Sequence, residues 1–171
     1  MIGGRIIAYS GAHGTGKTTS VYEFAGCLKK QMPNKRIGIL EENAGLCPYP
    51  INKKMSRESQ LWIFTHQIQA ELAMTARYDL VVADRSAVDP IAYTWTADMI
   101  QLAEGMMTII PEHLPIYQKI IFKTILNNQY LVDDGFRESD DFGFQLQVET
   151  IMLNLYSRLG FTDGDGIFNI I

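Results

Sequence analysis

Eight residues, Gly11-Ala12-His13-Gly14-Thr15-Gly16-Lys17-Thr18, constrain this chain more than any other segment. They satisfy G-x-x-x-x-G-K-[ST], follow the apolar run Arg5 to Ser10, and precede a stretch whose Val21, Phe24, Ala25 and Leu28 recur at helical spacing. A buried strand must therefore turn through glycine-rich backbone straight into a helix. Gly11, Gly14 and Gly16 let backbone N–H groups face inward around phosphate oxygens, because side chains there would block the approach. The helix adds the positive end of its dipole. Lys17 is then placed to reach the β- and γ-phosphates of ATP, and the Thr18 hydroxyl to ligate Mg²⁺. Thr15 and Thr19 belong to the same phosphate-contacting loop. His13 does too, but it fills a variable position, so a solvent-facing side chain is expected there rather than a catalytic imidazole.

The rest of the chain alternates strand and helix signals. Pro33 stops the first helix, and Arg36 to Glu41 predicts a second strand. Ser56 is a suitable cap for a long helix through Arg77, with Leu61, Phe64, Ile68 and Leu72 on one stripe. Asp79 to Asp84 predicts a third buried strand. Residues 87–104 predict a helix that tolerates Pro90 in its first turn. Lys119 to Leu126 reads as a fourth strand, with a helix as the alternative. Phe142 to Leu159 predicts a last helix ended by Gly160, and Gly166 to Ile171 a last strand. This order implies an α/β three-layer sandwich: a mostly parallel five-stranded sheet with helices on both faces, one domain over residues 1–171. In such a sheet ligands sit beyond the carboxyl ends of the strands, so the segments after Ser10, Glu41, Asp84 and Leu126 should converge.

Composition narrows the partners. The 171 residues are 47% hydrophobic and 20% charged, enough for one sizeable core. An uninterrupted apolar run of about 18 residues, which a membrane span needs, is absent, and the opening Met1-Ile2-Gly3-Gly4-Arg5 does not read as a signal peptide. Fifteen Lys and Arg against 19 Asp and Glu give a net charge of -4, so there is no global positive field to collect a polynucleotide. Cys27 and Cys47, with His13, His66 and His113 scattered, lack zinc-type spacing, which suits reduced thiols in a cytoplasmic protein. The oligomeric state is not legible.

Asp84 ends a buried strand as a Walker B aspartate does, where a carboxylate completes the Mg²⁺ site. Arg85 follows, whereas hydrolytic motor-type ATPases usually place Glu there to polarise water. Gly11-x-x-x-x-Gly16-Lys17-Thr18-Thr19 with Asp84-Arg85-Ser86 resembles the P-loop kinases of the nucleoside and nucleoside-monophosphate type, including the thymidylate and deoxynucleoside kinase families. Asp84-Arg85-Ser86-x-x-Asp89-x-x-Ala92-Tyr93 and Asp134-Gly135-x-Arg137 are similar to small ATPase/kinase domains related to the nicotinamide riboside kinase domain. Those domains carry an Arg three positions after the acidic residue that follows the second strand; here Gly45 stands there.

The resemblance implies roles for further residues. Glu42, with Glu41 as substitute, would accept the proton of the acceptor hydroxyl. Arg85 would touch the acceptor or its phosphate through a bidentate fork. Residues 127–141 would form a lid, with Arg137 stabilising the transferring group. Lys53, Lys54 and Arg57 could meet an anionic acceptor, and Trp62, His66 and Gln67 a base, although a solvated loop and a partly buried Trp62 are the plainer readings. The implied activity is ATP-dependent transfer to a small nucleoside, nucleotide or related metabolite. An ATP-binding switch or weak ATPase acting through a protein partner is the alternative. A GTPase is disfavoured, since neither Asn34-Lys35 nor Asn52-Lys53 continues into N-K-x-D.

Overall fold

The computed structural model describes residues 3–51, 54–125 and 142–171. Five strands form a sheet in the order β2-β3-β1-β4-β5, and every pairing is parallel. They are β1 (Arg5–Ser10), β2 (Ile37–Leu40), β3 (Leu80–Asp84), β4 (Tyr117–Phe122) and β5 (Phe168–Ile170). The helices are α1 (Lys17–Gln31), α2 (Arg57–Arg77), α3 (Asp89–Thr96), α4 (Ile100–Met107), α5 (Ile110–His113) and α6 (Phe142–Arg158). No helix among the described residues is long and apolar enough to cross a membrane.

Both faces of the sheet are covered, which is why β1 and β3 are apolar between their polar ends. Ile7 and Tyr9 of β1 and Leu80 and Val82 of β3 pack against Val21, Ala25 and Leu28 of α1. The alternate residues Ile6, Ala8, Val81 and Ala83 face the larger core, with Phe64, Ile91, Met152 and Tyr156 from α2, α3 and α6. A register shift between Ile6 and Ile7 pairs them with Tyr117 and Lys119, so Gln118 is an extra residue in β4. That shift lets Tyr117 and Ile120, three positions apart, enter the same core.

Three expectations need correction. Residues 87–104 are not one helix: α3 ends at Thr96, and Asp98, at φ 59°, turns the chain before α4. Asp adopts the left-handed region more readily than most residues, so it serves this break. The fourth strand begins at Tyr117 and ends at Phe122, short of Leu126. On α2, Leu61 and Leu72 are about half exposed, whereas Gln60, Gln67, Glu71 and Thr75 are buried beside Phe64. The covered face of α2 is largely polar because it closes over a hydrogen-bonded cluster described below. Its start does follow expectation, with Ser56 and Ser59 capping each other reciprocally.

Candidate active site

The loop between β1 and α1 is held from below by β4. Lys123 N donates to Ser10 O at 2.9 Å, and a Cβ added to Gly11, at φ +133°, would lie 2.4 Å from Lys123 O. Gly16, at φ 71°, precedes α1 without a side-chain cap, so no side chain competes for the first-turn N–H groups. Lys17 is 4% exposed and donates to Ala12 O at 2.5 Å and Thr15 Oγ1 at 3.3 Å. Burial, aided by Arg85, lowers its ammonium to a pKa of about 7, against the opposing pull of Asp84, Asp89 and Glu42. Thr18 Oγ1 donates to Asp84 Oδ2 at 2.5 Å. Asp84 Oδ1 is buried with no hydrogen-bond partner among the described residues.

The next residue faces the other way. Arg85 N still pairs with Tyr9 O at 2.9 Å, but φ is 91°, a strained value for a side-chain-bearing residue. Its Nε donates to Glu42 Oε1 at 2.7 Å, its Nη1 lies 3.5 Å from Asp89 Oδ2, and its Cζ stands 5.3 Å from the Tyr93 ring centroid. Burial works against the guanidinium, yet Glu42, Tyr93, Asp89 and Asp84 together hold its pKa well above the ordinary value. Asp89 Oδ1 accepts from Ser10 Oγ at 2.6 Å and Ser86 Oγ at 2.8 Å, and the Tyr156 hydroxyl joins the same two serines. Burial raises the Asp89 carboxyl, opposed by Arg85, Ser10, Lys17 and Ser86.

Beneath this corner lies a buried carboxylate. Glu71 is fully buried and accepts from Gln67 Nε2 at 2.9 Å, the Tyr117 hydroxyl at 2.8 Å and His113 Nε2 at 2.5 Å. Burial and the Glu71 charge hold the Tyr117 hydroxyl well above its ordinary pKa, so it stays a donor. It also accepts from Ala87 N at 2.8 Å. Gln67 reaches onward to Arg85 O at 3.4 Å and accepts from Asn43 Nδ2 at 3.3 Å. The segment after β2 and the turn after β3 are thus tied to one another through α2.

Comparison with known proteins gives no match to a protein-family model and none to a curated protein. Solved structures do match. A thymidylate kinase from Ehrlichia chaffeensis superposes with a TM-score of 0.66 at 14% identity, over 99% of this chain and 93% of that one. A NadR protein in complex with NR gives 0.70 at 14% identity over 98% of this chain. A NadR protein in complex with NAD and AMP-PNP gives 0.62 at 15% identity, again over 98%. The five-stranded parallel sheet and its helices share the P-loop NTPase fold of these structures. This chain spans 43% and 44% of the two NadR chains, so it corresponds to less than half of each.

This fold gathers most of the residues singled out in the sequence. Gly11, Gly14, Thr15, Gly16, Lys17 and Thr18 form the loop, with Thr19 exposed on the first turn of α1. Asp84 meets Thr18, and Glu42 rather than Glu41 meets Arg85; Glu41 instead accepts from the Tyr22 hydroxyl. His13 departs from expectation. It is 6% exposed, its Nδ1 lies 3.3 Å from the Tyr93 hydroxyl, and its ring packs near Tyr93 and Phe144. Gln145 of α6 donates to its carbonyl at 3.2 Å, so the third position of the loop is a packing position. Gln67 is not available to a base, since its amide is spent on Asn43, Glu71 and Arg85. Trp62 is partly buried and stacks on His66 at 4.4 Å, and Lys54 and Arg57 are exposed. Lys53, Arg137 and the whole 127–141 segment lie outside the described residues. Sequence reasoning assigned no role to Ser10, Tyr93 or Tyr156 and quoted Asp89 only within a motif. Arg85 lies ahead of α3 at a positive φ, so its meeting with Asp89 comes from the turn after β3 and left no helical spacing to read.

Proposed function

We propose that this protein is an ATP-dependent kinase that transfers a phosphoryl group to the hydroxyl of a small nucleoside, nucleotide or related metabolite. The observation that carries this reading is the two-sided corner: Asp84 touches Thr18 of the phosphate loop, and the adjacent Arg85 touches Glu42. A loop built only to bind nucleotide would not require a buried carboxylate–guanidinium pair beside it.

Each residue then has a task. Lys17 and the N–H groups of the Gly14–Thr18 turn bind the β- and γ-phosphates. Thr18 Oγ1 and the Asp84 carboxylate are hard oxygen donors that suit Mg²⁺, and the unpartnered Asp84 Oδ1 fits that use. Bound Mg²⁺ neutralises charge on the phosphate oxygens. Glu42 accepts the proton of the acceptor hydroxyl. Arg85 fixes the Glu42 carboxylate and steadies negative charge on the group in transit. Arg137 is the candidate closing arginine from the sequence. Catalysis on this plan is mostly positioning and electrostatics.

The test is ADP production from ATP with and without a panel of nucleosides, nucleoside monophosphates and nicotinamide riboside. Acceptor-dependent ADP is expected. Lys17→Ala should keep the fold and lose transfer; undiminished ATP turnover by that variant overturns the assignment, and acceptor-independent turnover by the parent chain points to the switch or ATPase instead.

A further inference from the structure

Lys123 follows β4 and meets the phosphate loop at both ends. Its backbone N donates to Ser10 O at 2.9 Å where the loop begins, and its Nζ donates to Gly16 O at 3.3 Å and Ser20 Oγ at 2.8 Å where α1 starts. Gly16 O also accepts from Ser20 N at 3.3 Å, so the ammonium grips the first hydrogen bond of α1. The same peptide unit carries Gly16 O and the Lys17 N–H, and it is planar. Gly16 stands at φ 71° with no side chain to restrain it, so a grip on its carbonyl fixes the direction of that N–H. Lys123 is 6% exposed, and both acceptors of its ammonium are neutral. Burial lowers its pKa, and the Glu23 charge opposes that shift.

This placement is poor for the free protein. A cation at a helix N-terminus opposes the positive end of the dipole, and a buried ammonium held only by neutral oxygens keeps much of its desolvation cost. Bound phosphates reverse the balance, because the dipole and the ammonium then attract the same anion. We infer that Lys123 is a positioning residue for the nucleotide: it clasps the entry and the exit of the phosphate loop, and its charge serves the bound phosphates rather than the free fold. The inference rests on the phosphate-binding part of the reading above and adds a second lysine to it. Lys17 belongs to the loop itself, whereas Lys123 acts on the phosphates through the Gly16 peptide and through space.

The experiment titrates the full chain with AMP-PNP and Mg²⁺ and follows urea unfolding of the free protein alongside. Lys123→Met keeps the length of the stem and removes the charge and both side-chain bonds. It should bind about tenfold more weakly, while the free protein unfolds at the same urea concentration or a higher one. Affinity of the parent should also fall more steeply with added salt than that of the variant. A folded Lys123→Met that binds as the parent does overturns the inference, whatever its stability. Parallel salt dependences, or a variant that does not fold, overturn the role given to the charge. In either case Ser20→Ala decides the clasp: it removes one half-buried hydroxyl and should weaken binding about threefold, and unchanged affinity sinks that part too. Failure of the parent to bind AMP-PNP overturns the nucleotide reading, and the inference with it. Binding without acceptor-dependent ADP overturns the kinase reading alone.

Discussion

At Lys17 the free protein holds an ammonium whose pKa has fallen to about 7, chiefly through burial. Phosphate oxygens arriving beside it favour the charged form and must raise that value. Nucleotide binding is therefore coupled to proton uptake at pH above about 7, and affinity should fall as pH rises through this range, while at pH 6 the lysine is already charged and uptake is small. Calorimetric titration of AMP-PNP with Mg²⁺ in buffers of different ionisation enthalpy reads the proton count directly; an uptake that does not grow between pH 6 and pH 8.5 removes Lys17 as the coupled group. At this scale the sequence was readable where chemistry requires a fixed spacing: the glycines, Lys17, Thr18, Asp84 and Arg85. Glu42 was separable from Glu41 only through the resemblance. His13 was misread as solvent-facing because a polar side chain in a one-dimensional pattern carries no mark of whether water or protein surrounds it.

At the scale of elements, α2 shows the same limit in a larger form. Its amphipathic pattern placed Leu61 and Leu72 inward, yet the face it buries carries Gln60, Gln67, Glu71 and Thr75. Periodicity locates a helix reliably and assigns its inner face on the assumption that burial means apolar. Here Glu71 satisfies that face instead, with three donors converging on one carboxylate. Glu71→Ala strands the Gln67, His113 and Tyr117 donors in the interior and should destabilise the fold by about 3–5 kcal/mol. Glu71→Gln, which keeps one acceptor oxygen, should cost less. Urea unfolding with a common m-value measures both, and equal stability of Glu71→Ala and the parent chain contradicts the structural role. Strands were more legible than helices, because short apolar runs ending in Ser10, Leu40 and Asp84 have few other homes. The extra residue in β4 left no sequence trace, since Gln118 becomes a bulge only through its pairing with β1.

Across the whole molecule, the strand order puts β1 in the middle and surrounds its carboxyl end with the ends of β3 and β4. The alternation of elements in the sequence implied the sheet and its parallel sense. It did not imply the order, which follows from long-range pairing. Because the loop bonds to Asp84, Lys123 and Gln145 from three separate segments, occupying it should stabilise the folded state globally. AMP-PNP with Mg²⁺ at 100 times its Kd should add about 2.7 kcal/mol and raise Tm by about 5–10 °C. Lys17→Ala should abolish that rise without lowering the Tm of the free protein; a shift retained in the variant places binding elsewhere.

Asp84 and Arg85 are joined by one peptide bond, so the group facing the phosphate loop and the group facing Glu42 have α-carbons about 3.8 Å apart whatever else moves. That bond works as a caliper. The spacing between the Thr18 contact and the Glu42 contact is thus set at its base by covalent geometry. An insertion between Asp84 and Arg85 would break that spacing, whereas substitutions around Tyr93 would leave it intact.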